Sequence, residues 1–384
     1  MNHQEIVKCF PARKHMTYLD SSALALKPQE AIDAMNHYFT NISVSTRTRD
    51  TKLGVHVIDV IAETRQLVAD LVDAKFNEVI FTSGTTESLN MFVYMIEPLV
   101  KAGDEILLDV LNHSSNMVSW VELAKRKNCK IVFSHDVTQS ITAKTKIIAM
   151  AQKPNTFIKH YDMNKLYKQC KKQGIILVND AAQAIVNEKV SLTNCDMIAF
   201  SANKLYGPTG LGCLIVKEDL LVKLEPVKMG GGIFSRIQKD GGPVFKTDVA
   251  RWEAGTPNVA GIFMFNASLK FFNKIGYKQT NEILEELALY AYEKLSKVKN
   301  IEIYSQPKDC IIMFNIKKVF CEDVALYLGK HNVYVRSGFF CAQYLQHVKT
   351  EPGFVRVSLG IYNTKADIDH LVDVLSKAKS YINV

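Results

Sequence analysis

The sequence predicts an α/β protein: a mostly parallel sheet of seven strands, followed by a smaller α+β unit. Two observations carry this. Seven short apolar runs alternate with amphipathic stretches, and after AGTPN (254–258) the texture changes to a long helical tract. The seven runs are EVIFTSG (78–84), DEILLDV (104–110), KIVFS (130–134), TKIIAMA (145–151), GIILVND (174–180), MIAFS (197–201) and GCLIVK (212–217). Strands covered on both faces read as continuous apolar runs. Helical patterns between them, such as VSWVELAKRKN and DMNKLYKQCKKQ, are the mark of a parallel sheet. Ligands of such sheets bind beyond the carboxyl ends of the strands.

The helical tract covers 259–297. IEIYS, CIIMFNI, VYVRSG and FVRVSL then read as strands, with helices at 321–330 and 365–382. The expected division is a large unit, 17–258, and a small one made of 1–16 and 259–384.

The 384 residues leave room for an ample core. Lys and Arg number 47 against 39 Asp and Glu, a net charge of +8 that is scattered along the chain. KRKNCK (125–130) and KQCKK (168–172) fall where helices should end before strands, which favours solvated helix ends. With no basic stripe interleaved with aromatics, nucleic acid is not an expected partner. No apolar stretch approaches the ~20 residues of a membrane helix, and MNHQEIVKCF does not open like a secretory signal. The eight cysteines contain no CxxC pair, so neither a disulfide framework nor a metal site is expected. A reducing cytoplasm is the expected setting. There most thiols are small buried hydrophobes, and one exposed thiol could be a nucleophile.

Several polar residues fall at strand ends. GTTES (84–88) follows a strand and opens a helix, where free N–H groups and the helix dipole favour a phosphate; a plain N-cap and turn is the competing reading. Asp180, in NDAAQA, ends a very apolar strand and needs a partner, which could be a cationic ring nitrogen or a structural donor. His113 follows another strand end and could stack on a ring or simply be a satisfied surface group. Lys204, in FSANKLYGPTG, follows MIAFS; a shielded amine loses its charge readily and forms Schiff bases. Together, a phosphate site, an acid for a pyridinium, a histidine and such a lysine describe a pyridoxal phosphate site. In the second unit, Cys341 follows a glycine-containing loop in VRSGFFCAQ, as a mobile nucleophile or a buried thiol. Arg356 interrupts the apolar run FVRVSL and wants a carboxylate, from a ligand or from a structural salt bridge.

YLDSSALALKPQ, FTSGTTESLN, DAAQA, FSANKLYGPTGLG, RWEAGTPN and RVSLGIYNT resemble, in order, the motifs of class V aminotransferase-fold enzymes, in particular cysteine desulfurases of the SufS type. The resemblance runs from about Tyr18 to the C-terminus. It implies a homodimer of the pyridoxal-phosphate fold type I that converts L-cysteine to L-alanine and keeps the sulfur as a persulfide on Cys341. It implies that Lys204 forms the Schiff base and later serves as the base, that Asp180 pairs with the ring nitrogen, that Gln183 reaches the ring hydroxyl and that His113 stacks on the ring. Thr85, Thr86 and Ser201 would hold the phosphate, with Asn203 beside them and Thr256 lent by the partner subunit. Arg356 would grip the substrate carboxylate, aided by Asn155 and Arg336. The short spacing from Arg336 to Cys341 matches the Suf-type group, whose sulfur acceptors are of the SufU or SufE type. The sulfur would serve iron–sulfur clusters or tRNA thiolation. Selenocysteine lyase, another pyridoxal-phosphate β-lyase, and a non-catalytic scaffold stay open as alternatives.

Three positions depart from the pattern. Asn203 stands where the family has histidine before the lysine, so weaker cofactor affinity is expected. SVSTR (43–47) replaces a histidine-bearing segment. Phe339 and Phe340 replace two histidines before the cysteine, which suggests an apolar docking surface or a thiol less easily ionised.

Overall fold

The computed structural model describes residues 1–378. Seven strands form the large sheet: β1 (Val79–Thr82), β2 (Glu105–Asp109), β3 (Lys130–Ser134), β4 (Thr145–Ala151), β5 (Ile176–Asp180), β6 (Met197–Ser201) and β7 (Gly212–Val216). Their spatial order is β1-β7-β6-β5-β4-β2-β3. β7 pairs antiparallel with both neighbours, and every other pairing is parallel. The sheet is therefore mostly parallel, as the apolar runs predict. β1, β2 and β7 are buried along their whole length, which is why they read as unbroken apolar runs. β3 lies at the sheet edge and is partly exposed.

The two basic clusters do end helices. Val118–Lys127 is closed by Asn128 in the left-handed region, and Met163–Gln173 by Gly174, also left-handed. The basic side chains of each last turn face the negative end of the helix dipole.

A second, four-stranded sheet has the order Ile301–Ile303, Ile311–Ile316, Phe354–Ser358, Arg336–Gly338, all antiparallel. The run VYVRSG is split, contrary to the single strand expected. Val333–Tyr334 pairs with Thr17–Tyr18, whereas Arg336–Gly338 joins the four-stranded sheet. The N-terminal segment claims the first half, and its next residues bring Asp20 beside Ser358. The tract from 259 is also interrupted. It runs Val259–Leu295 but breaks helical geometry at Gly276 (φ 72°, ψ 171°), a conformation that glycine adopts without a Cβ penalty. The last helix is Lys365–Lys377; positions 379–382 of the expected helix lie outside the described residues. We retain 17–258 and 1–16 with 259–384 as a proposed division. Phe10 already spans it, packing on Tyr206, Phe271 and Tyr362.

Candidate active site

The carboxyl ends of β1, β2, β4, β5 and β6 open on one side of the sheet, and the second sheet closes over them. Between lies a cavity of about 200 Å³. Thr85, Thr86, His113, Asn155, Asp180, Gln183, Ser201, Asn203, Lys204, Arg336 and Arg356 all line it. Cys341 and Thr256 are not among its walls. Cys341 is half-buried and adjoins the lining residue Phe340, and Thr256 is exposed on its turn.

One wall is a cup of hydroxyls. β1 leads into the helix Thr85–Ile96, whose first turn donates the Thr85 N–H to Ser201 Oγ at 2.7 Å. The Thr85 and Ser201 hydroxyls lie 2.7 Å apart, and those of Thr86 and Ser115 2.8 Å apart. The approach of β1 to β7 requires glycine: a Cβ on Gly212 would sit 2.4 Å from the Gly84 Cα. Asn203 turns its carbonyl to the Ala25 N–H and to the Lys27 amine at 2.8 Å, leaving its amide at the cavity with one long 3.5 Å contact to the Ala23 carbonyl.

Deeper in, Asp180 ends β5 and is buried. The Ala182 N–H donates to its Oδ1 at 3.0 Å, and no ion pair engages it among the described residues. Burial pushes its pKa up, opposed by the Ala182 N–H and the Lys204 charge. Gln183 donates to the Ser22 carbonyl at 2.9 Å. Lys204 sits on the turn Ala202–Lys204 that caps β6, fixed by bonds from the Leu205 and Gly207 N–H groups to the Ala202 carbonyl. Burial lowers its pKa to about 8, with Asp180 opposing the shift and Arg356 adding to it. His113 accepts the Ser115 N–H on Nδ1 at 3.1 Å. Burial, then the positive charges of Lys204, Arg336 and Arg356, depress its pKa to about 4, so at neutral pH it is an uncharged ring.

The opposite wall belongs to the second sheet. Arg336 and Arg356 are direct partners across adjacent strands. Like charges placed so are unfavourable by themselves. Arg356, fully buried, is offset by Asp20 at 2.7 Å, by the Asn155 carbonyl at 3.0 Å and by the Phe340 ring 4.7 Å from its guanidinium carbon. Its Nε and the Asn155 Oδ1 are buried without a partner among the described residues. Arg336 makes no ion pair among the described residues, and its Nη2 lies 3.4 Å from Cys341 Sγ.

The loop bearing the thiol is held by its carbonyls. Asn155 Nδ2 donates to the Phe340 carbonyl at 2.8 Å, and the Ser114 N–H and hydroxyl both donate to the Cys341 carbonyl at 2.7 Å. Phe340 (φ 53°) and Cys341 (φ 61°) both adopt the left-handed region that favours glycine, held there by these bonds. Phe340 is 2 % exposed, so it forms no docking surface; it packs under Arg356 with Met313 and Phe354.

Sequence reasoning missed Asp20, Ser22, Ser115 and Lys153 as neighbours of this site. Asp20 and Ser22 lie inside the quoted run YLDSSALALKPQ, and Lys153 follows the carboxyl end of β4, so motif position could have flagged them. The contact of Ser115 with Thr86 has no local signal, because 29 residues separate them.

The Aminotransferase class-V family model matches residues 17–371. A probable cysteine desulfurase of Ureaplasma parvum is 36% identical over 390 aligned residues, covering 98% of this chain and 97% of the relative. Among solved structures, the Escherichia coli cysteine desulfurase CsdA in its S-sulfonic acid form superposes with a TM-score of 0.92 at 28% identity, covering 100% of this chain and 99% of the other. The apo cysteine desulfurase of Thermococcus onnurineus superposes equally, TM-score 0.92 at 27% identity, covering 99% and 98%.

Proposed function

The chain belongs to the class-V aminotransferase family and is a pyridoxal-phosphate enzyme of the cysteine desulfurase kind, and from that premise we propose how its residues turn L-cysteine into L-alanine with the sulfur left on Cys341. The cavity suits the cofactor. Asp180 is a buried acid without a cation, the first turn of the helix Thr85–Ile96 offers N–H groups and hydroxyls to a phosphate, and His113 is an uncharged flat ring. Thr85, Thr86, Ser201 and Asn203 would hold the phosphate, Asp180 the ring nitrogen, Gln183 the ring hydroxyl and His113 the ring face. Lys204 would hold the carbonyl carbon. When bound, the cofactor withdraws electrons from the substrate carbon that loses its proton.

The residues then divide the work. The substrate carboxylate binds at the paired arginines: Arg336, which has no ion pair among the described residues, and Arg356, whose Nε has no partner among them, with Asn155 Oδ1 beside them to accept from the amino group. Lys204, with its pKa lowered to about 8, removes and returns the proton at Cα. The Cys341 thiolate attacks the substrate sulfur: an S–S bond forms, the Cβ–S bond breaks with its electron pair left on carbon, and protonation there gives alanine. Arg336 Nη2, 3.4 Å from Sγ, donates to the sulfur and orients it toward the cavity's substrate.

The observation that carries this reading is the arginine pair set across the cavity from Lys204, with Arg336 Nη2 3.4 Å from Cys341 Sγ. Cys341→Ala tests it: sulfide and persulfide formation from L-cysteine should vanish while the cofactor's absorbance remains. Undiminished sulfide release would overturn it, and activity surviving only on selenocysteine would move the assignment to a selenocysteine lyase.

Thr256, exposed and away from its own cavity, fits a phosphate contact lent to a partner subunit, so the working unit is proposed as a homodimer. A protein of the SufU or SufE type is the proposed acceptor, for iron–sulfur cluster or thiolated tRNA synthesis in the cytoplasm. No helix of the described residues is long and apolar enough to cross a membrane.

A further inference from the structure

Behind the cofactor cavity is a smaller one of about 30 Å³, lined among others by Lys153, Asn187 and Cys310. It shares Ser22, Gln183, Lys153 and Lys204 with the larger cavity. Here a buried amine and a buried thiol face each other. Lys153 is 6 % exposed and Cys310 9 %. Lys153 Nζ lies 3.7 Å from Cys310 Sγ, and Asn187 clamps both, accepting from Nζ at 3.1 Å and donating to Sγ at 3.5 Å. Glu188 Oε1 is 3.6 Å from the amine. Neither the lysine nor the thiol has a task in the desulfuration described above, and a fully buried ammonium is costly unless paired.

We propose that Lys153 and Cys310 form an oxidative modification site, at which peroxide joins the two side chains through a sulfur–nitrogen bond. In the first step hydrogen peroxide oxidises the thiol: its O–O bond breaks, S–H becomes S–OH, and water leaves. In the second the Lys153 amine attacks that sulfur, the S–N bond forms, the S–O bond breaks, and hydroxide leaves as water with a proton from the amine. One thiol, one amine and one peroxide give one sulfenamide and two waters. Glu188 is placed to take the amine's proton in passing.

The sequence of events is favoured by the site itself. Burial works against charge on Lys153, and Cys310 followed by Glu188 outweighs it and raises the pKa. The amine is therefore protonated at rest, and Glu188 Oε1, 3.6 Å away, is the acceptor to which it gives its proton as it attacks the oxidised sulfur. The cavity has room for a molecule of peroxide's size. Asn187 holds the two atoms together from one side, leaving a flexible lysine stem to cover the remaining distance.

The bond would tie the two sheets together. Lys153 follows β4, and Asn187 ends the short helix that follows Asp180 and Gln183. Cys310 precedes the strand Ile311–Ile316, which pairs with the strand carrying Arg356. Excess thiol would reverse the link, returning thiol and amine and oxidising two reductant thiols to a disulfide.

The test is peptide mapping of the cofactor-loaded protein after hydrogen peroxide, with and without a later dithiothreitol step. The expected result is a cross-linked peptide joining 153 and 310, lighter by two hydrogen atoms than its two components and lost on reduction. It should be absent from Cys310→Ser and from Lys153→Arg, which keeps the charge. Thermal unfolding of the wild type should also shift upward with peroxide, and that of either variant should not. Oxidation of Cys341 with Cys310 untouched, or Cys310 carried on to the sulfinic acid with Lys153 free, would overturn the proposal. This outcome is independent of the desulfurase reading, because the link needs neither substrate nor turnover.

Discussion

The two walls of the cavity are built on opposite principles. The wall made by the large sheet is assembled from strand ends and neutral groups: hydroxyls paired with one another, an uncharged histidine, and an amine whose pKa burial has lowered. The wall made by the small sheet concentrates charge, two arginines in direct register with one fully buried. The first is ready for a cofactor that brings its own phosphate. In the second, Asp20 offsets Arg356 while Arg336 has no ion pair among the described residues, a charge that a negatively charged substrate would relieve. On the proposed reading, chemistry and recognition are divided between two sheets, and the thiol stands at their junction, its loop bonded to residues from both.

The largest effect expected on this contrast comes from the first wall. Lys204→Ala should lower alanine formation by at least ~10²–10⁴-fold, the range of a lost general base, and should abolish or shift the visible band of the bound cofactor, read by absorbance. A variant with native turnover would break the distinction. On the second wall, Arg356→Ala leaves Asp20 without its buried partner and should cost about 3–5 kcal/mol of stability, measured by denaturant unfolding. Arg336→Ala, at a half-buried residue with no ion pair, should leave stability within about 0.5 kcal/mol yet raise KM for L-cysteine roughly tenfold or more, as a lost charge-assisted contact of about 1.5–3 kcal/mol implies. Equal losses of stability in the two variants would show that the arginines do not divide structural and binding duties.

A pH experiment sharpens the same contrast. The folded pKa of His113 is about 4 against an ordinary value near 6.5, so between these values the unfolded chain binds the extra proton. The stability linked to His113 is fully present above pH 6.5 and is lost as the pH falls toward 4. His113→Gln should flatten the fall over that window by on the order of 1–3 kcal/mol, followed by urea unfolding at several pH values; an unchanged slope would mean that the ring is not buried against those cations. Phe340→His should give the smallest effect, a change in stability of about 1 kcal/mol from lost packing and cation–π contact, with KM little altered.

The first wall was far more legible in the sequence than the second. β4 and β6 fall where their apolar runs predict them, because strands buried along nearly their whole length write an unbroken pattern; β3 falls there too, although it lies partly exposed at the sheet edge. Asp180 and Lys204 were found because each interrupts such a pattern at its end. The second wall depends on contacts distant in sequence. Arg356 looks like a lone charge in an apolar strand; its partner Asp20 lies 336 residues away, and the pairing arises only because the N-terminal segment lies alongside Val333–Tyr334. For the same reason VYVRSG read as one strand and proved to be two. The burial of Phe340 under Arg356 was equally invisible, since an aromatic beside a cysteine reads the same whether it faces solvent or a guanidinium. The long tract from 259 concealed its break because apolar residues recur at helical spacing on both sides of Gly276.

The central claim is that Lys204 and Cys341 perform successive parts of one reaction from opposite sides of the cavity. Absorbance of the purified protein on addition of L-cysteine, with alanine quantified in the same samples for wild type, Lys204→Ala and Cys341→Ala, tests it most directly. The account predicts a visible cofactor band that shifts with cysteine in the wild type and in Cys341→Ala, with alanine formed only in the wild type, and no such response in Lys204→Ala. A protein that shows no cofactor band even after pyridoxal phosphate is supplied, or a Cys341→Ala variant that makes alanine as fast as the wild type, would contradict it.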